Sequence, residues 1–319
     1  MRQEKANRKE GNRYSVAAFW TILKKAGRRL GKNSPVHLAG ATAFVATFSL
    51  APIFVLIIHL LGGILGKKEI RQRIIQKFSE DAPADSIAQL RQFIDGFQQL
   101  WGEWYINVAL FIFLLFSSSR LFILIRGSFY QLWRLKHFHE KKLRFQIRKW
   151  LFPVALIISA GVLLMTSVLG HSLRIFLGEA VAEVSPTALQ YFNSLYRHGV
   201  SLVVAWLWFA VVFRYLTDAR PQWATVFVGA LFTSVLYNLG KTILQPSLSF
   251  GKIHAVFGTS ASLVLLQLFI FYISLLIYFG AAFTFEWARY YKQTVYIPED
   301  LSYYKLEEKI AKDDNGDSD

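Results

Sequence analysis

Few residues in this 319-residue chain combine chemical reach with an unusual setting. The first group is Ser117, Ser118, Ser119 and Arg120, embedded in the apolar run FLLFSSSRLFILIRG. Three hydroxyls and a guanidinium there have two uses. They can pair with a carboxylate inside a helical bundle, and Glu286, in a later apolar run, is the candidate partner, because pairing lowers the cost of both charges. Alternatively Arg120 buries its stem and carries its head to a polar boundary. Asn238 and Lys241, in LYNLGKTIL, form a second polar spot with the same two options. If both spots face inward, they flank a path or cavity at opposite depths.

Other chemistry is sparse. Cysteine is absent, which excludes disulfides, zinc–thiolate sites and cysteine nucleophiles. His137 and His139 stand two apart and diverge on a helix, so they read as a solvated loop and no metal is expected. No HExxH, P-loop or GxSxG stretch occurs. A metal-dependent nuclease needs clustered carboxylates, and the basic stretch LKHFHEKKLRFQIRK offers only Glu140. The chain therefore reads as a non-enzyme, with no catalytic residue and no cofactor.

The elements that must position these residues are membrane spans. A hydrophobic fraction of 54%, with 28 Phe and 9 Trp, exceeds the usage of a soluble domain. A helix crossing hydrocarbon needs about 20 mostly apolar residues, and six windows qualify: about 36–65, 104–125, 150–173, 199–216, 222–245 and 258–286. Lipid offers backbone groups no partner outside helices or closed barrels, so the expected fold is all-α, a polytopic bundle of six transmembrane helices. Trp104, Trp133, Trp150, Trp223 and Trp287 bracket the windows as interfacial anchors, whereas Trp206 and Trp208 fall inside one. At ~1.5 Å per residue, Arg120 lies roughly 24 Å from Trp104 and about 9 Å from Arg126, near one end of its span.

Orientation follows from lysine and arginine. Alternate connections carry 25 on the side of both termini and 9 on the other, which makes the termini cytoplasmic. The net charge of +15 is thereby an orientation signal, and no nucleic-acid partner is expected.

The expected domains are a cytoplasmic segment 1–35, a transmembrane domain 36–290 and an acidic, disordered tail 291–319. Within residues 14–32, Val16, Phe19, Ile22, Leu23, Ala26 and Leu30 share one helical face, and Lys24, Lys25, Arg28, Arg29 and Lys32 the other. That pattern suits a helix lying among anionic headgroups of the inner leaflet, or one packed on the bundle. In the first outer loop, Ile70, Ile74 and Phe78, then Ile87, Leu90, Ile94 and Phe97, predict two amphipathic helices capping the bundle. Ser185 and Pro186 suit a helix start. Pro52 breaks the first span, and Gly62 and Gly66 have GxxxG spacing. Residues 246–258 read as an outer hairpin or a re-entrant turn.

Several of these elements occur in an order that resembles the YihY/BrkB family of bacterial inner-membrane proteins, whose members carry the labels "virulence factor BrkB" and "ribonuclease BN". The resemblance runs from about residue 15 to 290. It rests on HLAGATAFVATFSLAPIFVL with Ser49, Leu50 and Pro52, on the serine-rich second span, and on Gly229, Ala230, Leu239, Gly240 and Lys241 in the fifth. The last span, from Gly258 through Gly280, resembles the family's Tyr-Gly-Ser to Gly-Ala-Glu element. Here Phe257 replaces the Tyr, Thr259 the Ser and Ala282 the Glu, while Glu286 stands one turn further on. The resemblance implies six spans and a role in moving lipids or other amphipathic molecules, with membrane lipids as partners. A structural or regulatory membrane protein is the alternative; a membrane ribonuclease fits less well. Substrate, oligomeric state and any envelope-protein partner are left open.

Overall fold

The computed structural model describes residues 15–81, 84–99, 104–137, 186–216, 219–248, 257–293, 295–296 and 301–303, with positions 159 and 161. Helix α1 (Val16–Gly31) begins at Ser15, whose hydroxyl accepts from the Ala17 N–H, and ends with Arg28 and Arg29 against its negative dipole end. Then come α2 (Pro35–Leu65), α3 (Lys67–Asp81), α4 (Ala84–Gln99) and α5 (Trp104–Trp133). After strand β1 (Leu135–His137), α6 (Pro186–Tyr215) opens at the proline expected to start it. Strand β2 (Arg220–Pro221), α7 (Trp223–Leu248), a 3-10 turn (Gly258–Ser260) and α8 (Ala261–Tyr290) follow, then β3 (Val295–Tyr296) and β4 (Leu301–Tyr303).

Among the described residues three helices are long and apolar enough to cross a membrane: Tyr105–Trp133, Trp223–Ile243 and Ala261–Tyr290. A fourth counts when the two arms of α2, Pro35–Leu50 and Pro52–His59, are taken as one span bent by 43°. Pro52 sits at that bend, where its ring removes a backbone donor. Gly199–Tyr215 is apolar but shorter. The window 150–173, with Trp150, lies outside the described residues except for positions 159 and 161.

Helix α8 is the hub and touches α1, α2, α4, α5 and α7. It is apolar along most of its length, with Leu265, Leu266, Phe269 and Phe283 buried and Leu263 and Leu268 exposed. Its crossing with α7 is unusually close, because Gly229 faces Thr284 while Gly280 faces Thr233, and a methyl group on either glycine would collide with the opposing threonine hydroxyl. Each threonine donates to its own helix's glycine carbonyl at 2.7 Å, which satisfies the hydroxyls without water. Phe232 and Phe283 stack between these pairs at 4.1 Å. Further along, Gly240 leaves room for the Tyr272 ring, which donates to the Leu236 carbonyl.

These contacts define two ends of the bundle. At one end lie α1, the start of α2, the ends of α5, α6 and α8, and the start of α7. Here Trp133 reaches Ala281, Tyr215 meets Trp223, and Phe283 and Trp287 cluster with Ile22 and Ala26. At the other end the hairpin α3–α4 packs Ile70, Ile74, Leu90 and Ile94 into the core, Phe78 meets Phe54 and Phe269, and Ser262 donates to Gln89. This hairpin forms from the two stretches whose apolar residues recur at helical spacing.

Several expected features take a different form. Trp133 and Trp287 are covered by protein, at 1% and 7% exposed, because the Trp133 indole donates to the Ala281 carbonyl and α1 covers Trp287. Trp223, 42% exposed, does lie at a helix start. Gly66 is no packing glycine: with φ at +89° it ends α2 in the left-handed region, and open space surrounds it. Gly62 lies inside α2. The segment after 290 is not uniformly without structure, since β3 pairs with β2 and β4 with β1, both antiparallel. Trp206 and Trp208, inside the fourth apolar window as the sequence has them, pack on the core from α6, and the Trp206 indole donates to the Phe227 carbonyl at 2.9 Å.

Candidate functional site

The strongest concentration of charge lies at the α1 end. Helix α1 docks Ala18, Ile22, Ala26 and Leu30 inward, a row spaced four apart, and leaves Val16 and Trp20 exposed. Arg29 follows Ile22 by seven residues, so it shares that inner face and its guanidinium enters the bundle. There its Nε donates to Glu286 Oε1 at 2.5 Å, its Nη1 donates to the Leu132 carbonyl at 2.9 Å, and its plane lies 4.2 Å above the Phe285 ring. One side chain thus joins α1, α5 and α8. Burial pushes the Arg29 guanidinium below its ordinary pKa, the Glu286 carboxylate pulls it back up, and Arg134 and Arg289 push it down again.

Around this pair opens a cleft of about 500 Å³. Besides Arg29 and Glu286 it is lined by Lys25, Arg28, Lys32, Arg134 and Arg289. Six cations therefore surround one carboxylate, and that carboxylate is already engaged. Such a site is built for an anion, with arginine forks matched to phosphate or carboxylate oxygens. Tyr290 supplies an aromatic wall, with Lys25 5.6 Å from its centroid.

The residues singled out by sequence are dispersed. Arg120 and Glu286 do not meet: Glu286 is held at the end of α8 by Arg29, while Arg120 lies about 18 Å back along α5 from Leu132. Arg120 is exposed, with its guanidinium 4.3 Å above Phe116. Ser118 and Ser119 are buried and Ser117 is half-buried. The Ser118 hydroxyl donates to Leu114 within its own helix, and Ser49, beside the bend in α2, donates to the Ser117 carbonyl at 3.1 Å. Asn238 crosslinks α7 to α6 by accepting from Ser201 at 3.1 Å; Lys241 is half-buried one turn away. Gly258, with φ at +54°, turns the chain into α8. Of the expected set, only Glu286 belongs to the basic cleft. Among the described residues no three His, Asp or Glu side chains converge as a metal site would require.

Long apolar helices packed round a common hub, with one strongly basic end, define an integral membrane protein. The chain belongs to the virulence factor BrkB family, whose sequence model matches residues 26–300. It is also similar to two proteins of Stenotrophomonas maltophilia, one from each of two strains, both named UPF0761 membrane protein: 21% identical over 275 residues, covering 84% of this chain. The chain spans 61% of the length of those relatives. No solved structure matches.

Proposed function

We propose that this is a six-span protein of the bacterial inner membrane that moves lipids or other amphipathic molecules, and that an anionic headgroup is received in the cleft between α1, α5 and α8. The observation that carries the reading is the ring of six cations about a single, already paired carboxylate, in a cleft of headgroup size. Low-dielectric walls strengthen attraction for an anion at such a site. The exposed Val16 and Trp20 support α1 as a helix seated in the leaflet beside it.

Six crossings are supported by the direction of the helices. Both α5 and α6 run toward the basic end, and the apolar run 150–173 that separates them in sequence is long enough for one further crossing. The excess of lysine and arginine at that end supports a cytoplasmic position for it and for both termini. The role is non-enzymatic in this reading.

A second reading has its own support. Polar side chains inside the bundle are used between helices: Thr42 bonds Tyr278, Ser49 bonds Ser117 and Ser201 bonds Asn238. A structural or regulatory membrane protein needs no more than that. Reconstitution into vesicles carrying labelled phosphatidylglycerol or phosphatidylcholine in one leaflet separates the two. Transport predicts faster movement of the anionic lipid, slowed about tenfold by Arg134→Gln with Arg289→Gln. No movement of either lipid would favour the structural reading.

A further inference from the structure

The outer hairpin carries charge in a way that capping the bundle does not explain. Residues 66–103 contain six Lys or Arg and six Asp or Glu, so the loop is balanced as a whole. Lys68, Arg71, Gln72, Ile75, Gln76 and Ser79 recur at three- and four-residue steps and form one face of α3. Across from them stands Arg91 of α4. The groove between is about 650 Å³, and among the described residues no carboxylate lines it. Arg71 is held in place by an ion pair to Asp95, which also ties α3 to α4. Glu69 is engaged by Arg73 one turn away, at 2.7 Å. The inner rows of both helices, Ile70, Ile74, Leu90 and Ile94, are buried in the core and anchor the hairpin that forms the groove.

We infer that this groove is a second anion-binding site, at the end of the molecule opposite the basic cleft, and that it takes a phosphate-bearing group. Lys68 and Arg91 reach the anion from facing walls, Gln72 and Gln76 donate amide N–H groups, and Ile75, 8% exposed, forms an apolar floor against which a glycerol backbone or acyl start can lie. A lipid headgroup and a free phosphate share this chemistry. The inference stands apart from the transport reading, because binding at this groove requires no movement across the membrane.

The absence of cysteine allows a single reporter. In the full chain purified in neutral detergent, Ser79→Cys carries an environment-sensitive fluorophore at the groove's edge. Dihexanoyl phosphatidylglycerol, dihexanoyl phosphatidylcholine and inorganic phosphate are titrated separately. The expected result is a saturable response to phosphatidylglycerol, weakened about tenfold by Lys68→Gln with Arg91→Gln and unchanged by Arg134→Gln with Arg289→Gln at the opposite end. Lys68→Gln alone should weaken it several-fold, which keeps the test informative if the double variant does not fold. Phosphatidylglycerol acting alone assigns the lipid headgroup; inorganic phosphate saturating at equal concentration assigns the free anion. Equal responses to both lipids, no response to either anion, or binding indifferent to Lys68 and Arg91 would overturn the inference.

Discussion

Arg29 and Glu286 hold their charges in a place where neither survives easily alone. Their side chains are 11% and 6% exposed, so removing Glu286 leaves Arg29 without a counter-charge, and removing Arg29 leaves Glu286 without its direct hydrogen-bond partner. Such a loss costs about 3–5 kcal/mol, whereas replacing both charges by apolar groups costs far less than the sum. Arg29→Met and Glu286→Leu should therefore each lower the unfolding midpoint in mild detergent, with the double variant recovering part of the loss. Arg29→Met should be the worse single change, since it also abandons the Leu132 carbonyl. Additive effects in this cycle would show that the pair is not coupled. The sequence makes Arg120 conspicuous, because it interrupts an apolar run, and leaves Arg29 inconspicuous among other basic residues. Yet the signal for Arg29 is present: seven residues after Ile22 and three after Ala26, it falls on the apolar row of α1. Arg120 escapes burial by lying over Phe116 at the bundle's surface, an outcome that composition alone does not distinguish from an interior pair.

At the scale of elements, the crossing of α7 and α8 is set by two short stretches of nearly the same sequence, GALFT at 229–233 and GAAFT at 280–284. In antiparallel helices, glycine of one meets threonine of the other, so the match closes twice, with Phe232 on Phe283 between. Van der Waals contact of this closeness is what holds helices together in lipid, where no hydrophobic drive exists between them. Gly229→Val should push the helices apart and cost about 1–3 kcal/mol, and Thr284→Ala should recover part of that by removing the opposing hydroxyl. Gly27→Val, on an open face of α1, is the control: it gains no such clash, so only helix propensity changes. Thermal unfolding of the three variants in detergent checks the order, and equal losses for Gly229→Val and Gly27→Val would refute the packing account. The small residues were visible in the sequence, but not which of them faced a partner. Gly62 and Gly66 have the better-known spacing, and Gly66 nonetheless terminates its helix, because backbone φ is decided by where the chain must turn toward α3.

For the whole molecule, the hydrophobic windows translated into helices because lipid leaves the backbone no other solution, and this held for α2, α5, α7 and α8. Helix α6 extends to Pro186, well before its apolar part, and α5 continues past its window to Trp133. The sequence period marked the apolar cores of these helices and not their ends, since ends are set by the contacts that cover Trp133 and by turn residues such as Arg134, which has positive φ. What the charge count adds is direction. Twenty-five lysines and arginines in one set of alternate connections against 9 in the other are the basis for proposing that α1 and its cleft are cytoplasmic and the α3–α4 hairpin is outside. In a cysteine-free chain, Lys24→Cys on α1 and Gln92→Cys on α4 are single, exposed handles at opposite ends. A membrane-impermeant maleimide should label residue 92 in intact spheroplasts and residue 24 only after permeabilisation. Labelling of residue 24 alone in intact cells would invert the orientation, and labelling of both would mean that α2 does not cross the bilayer.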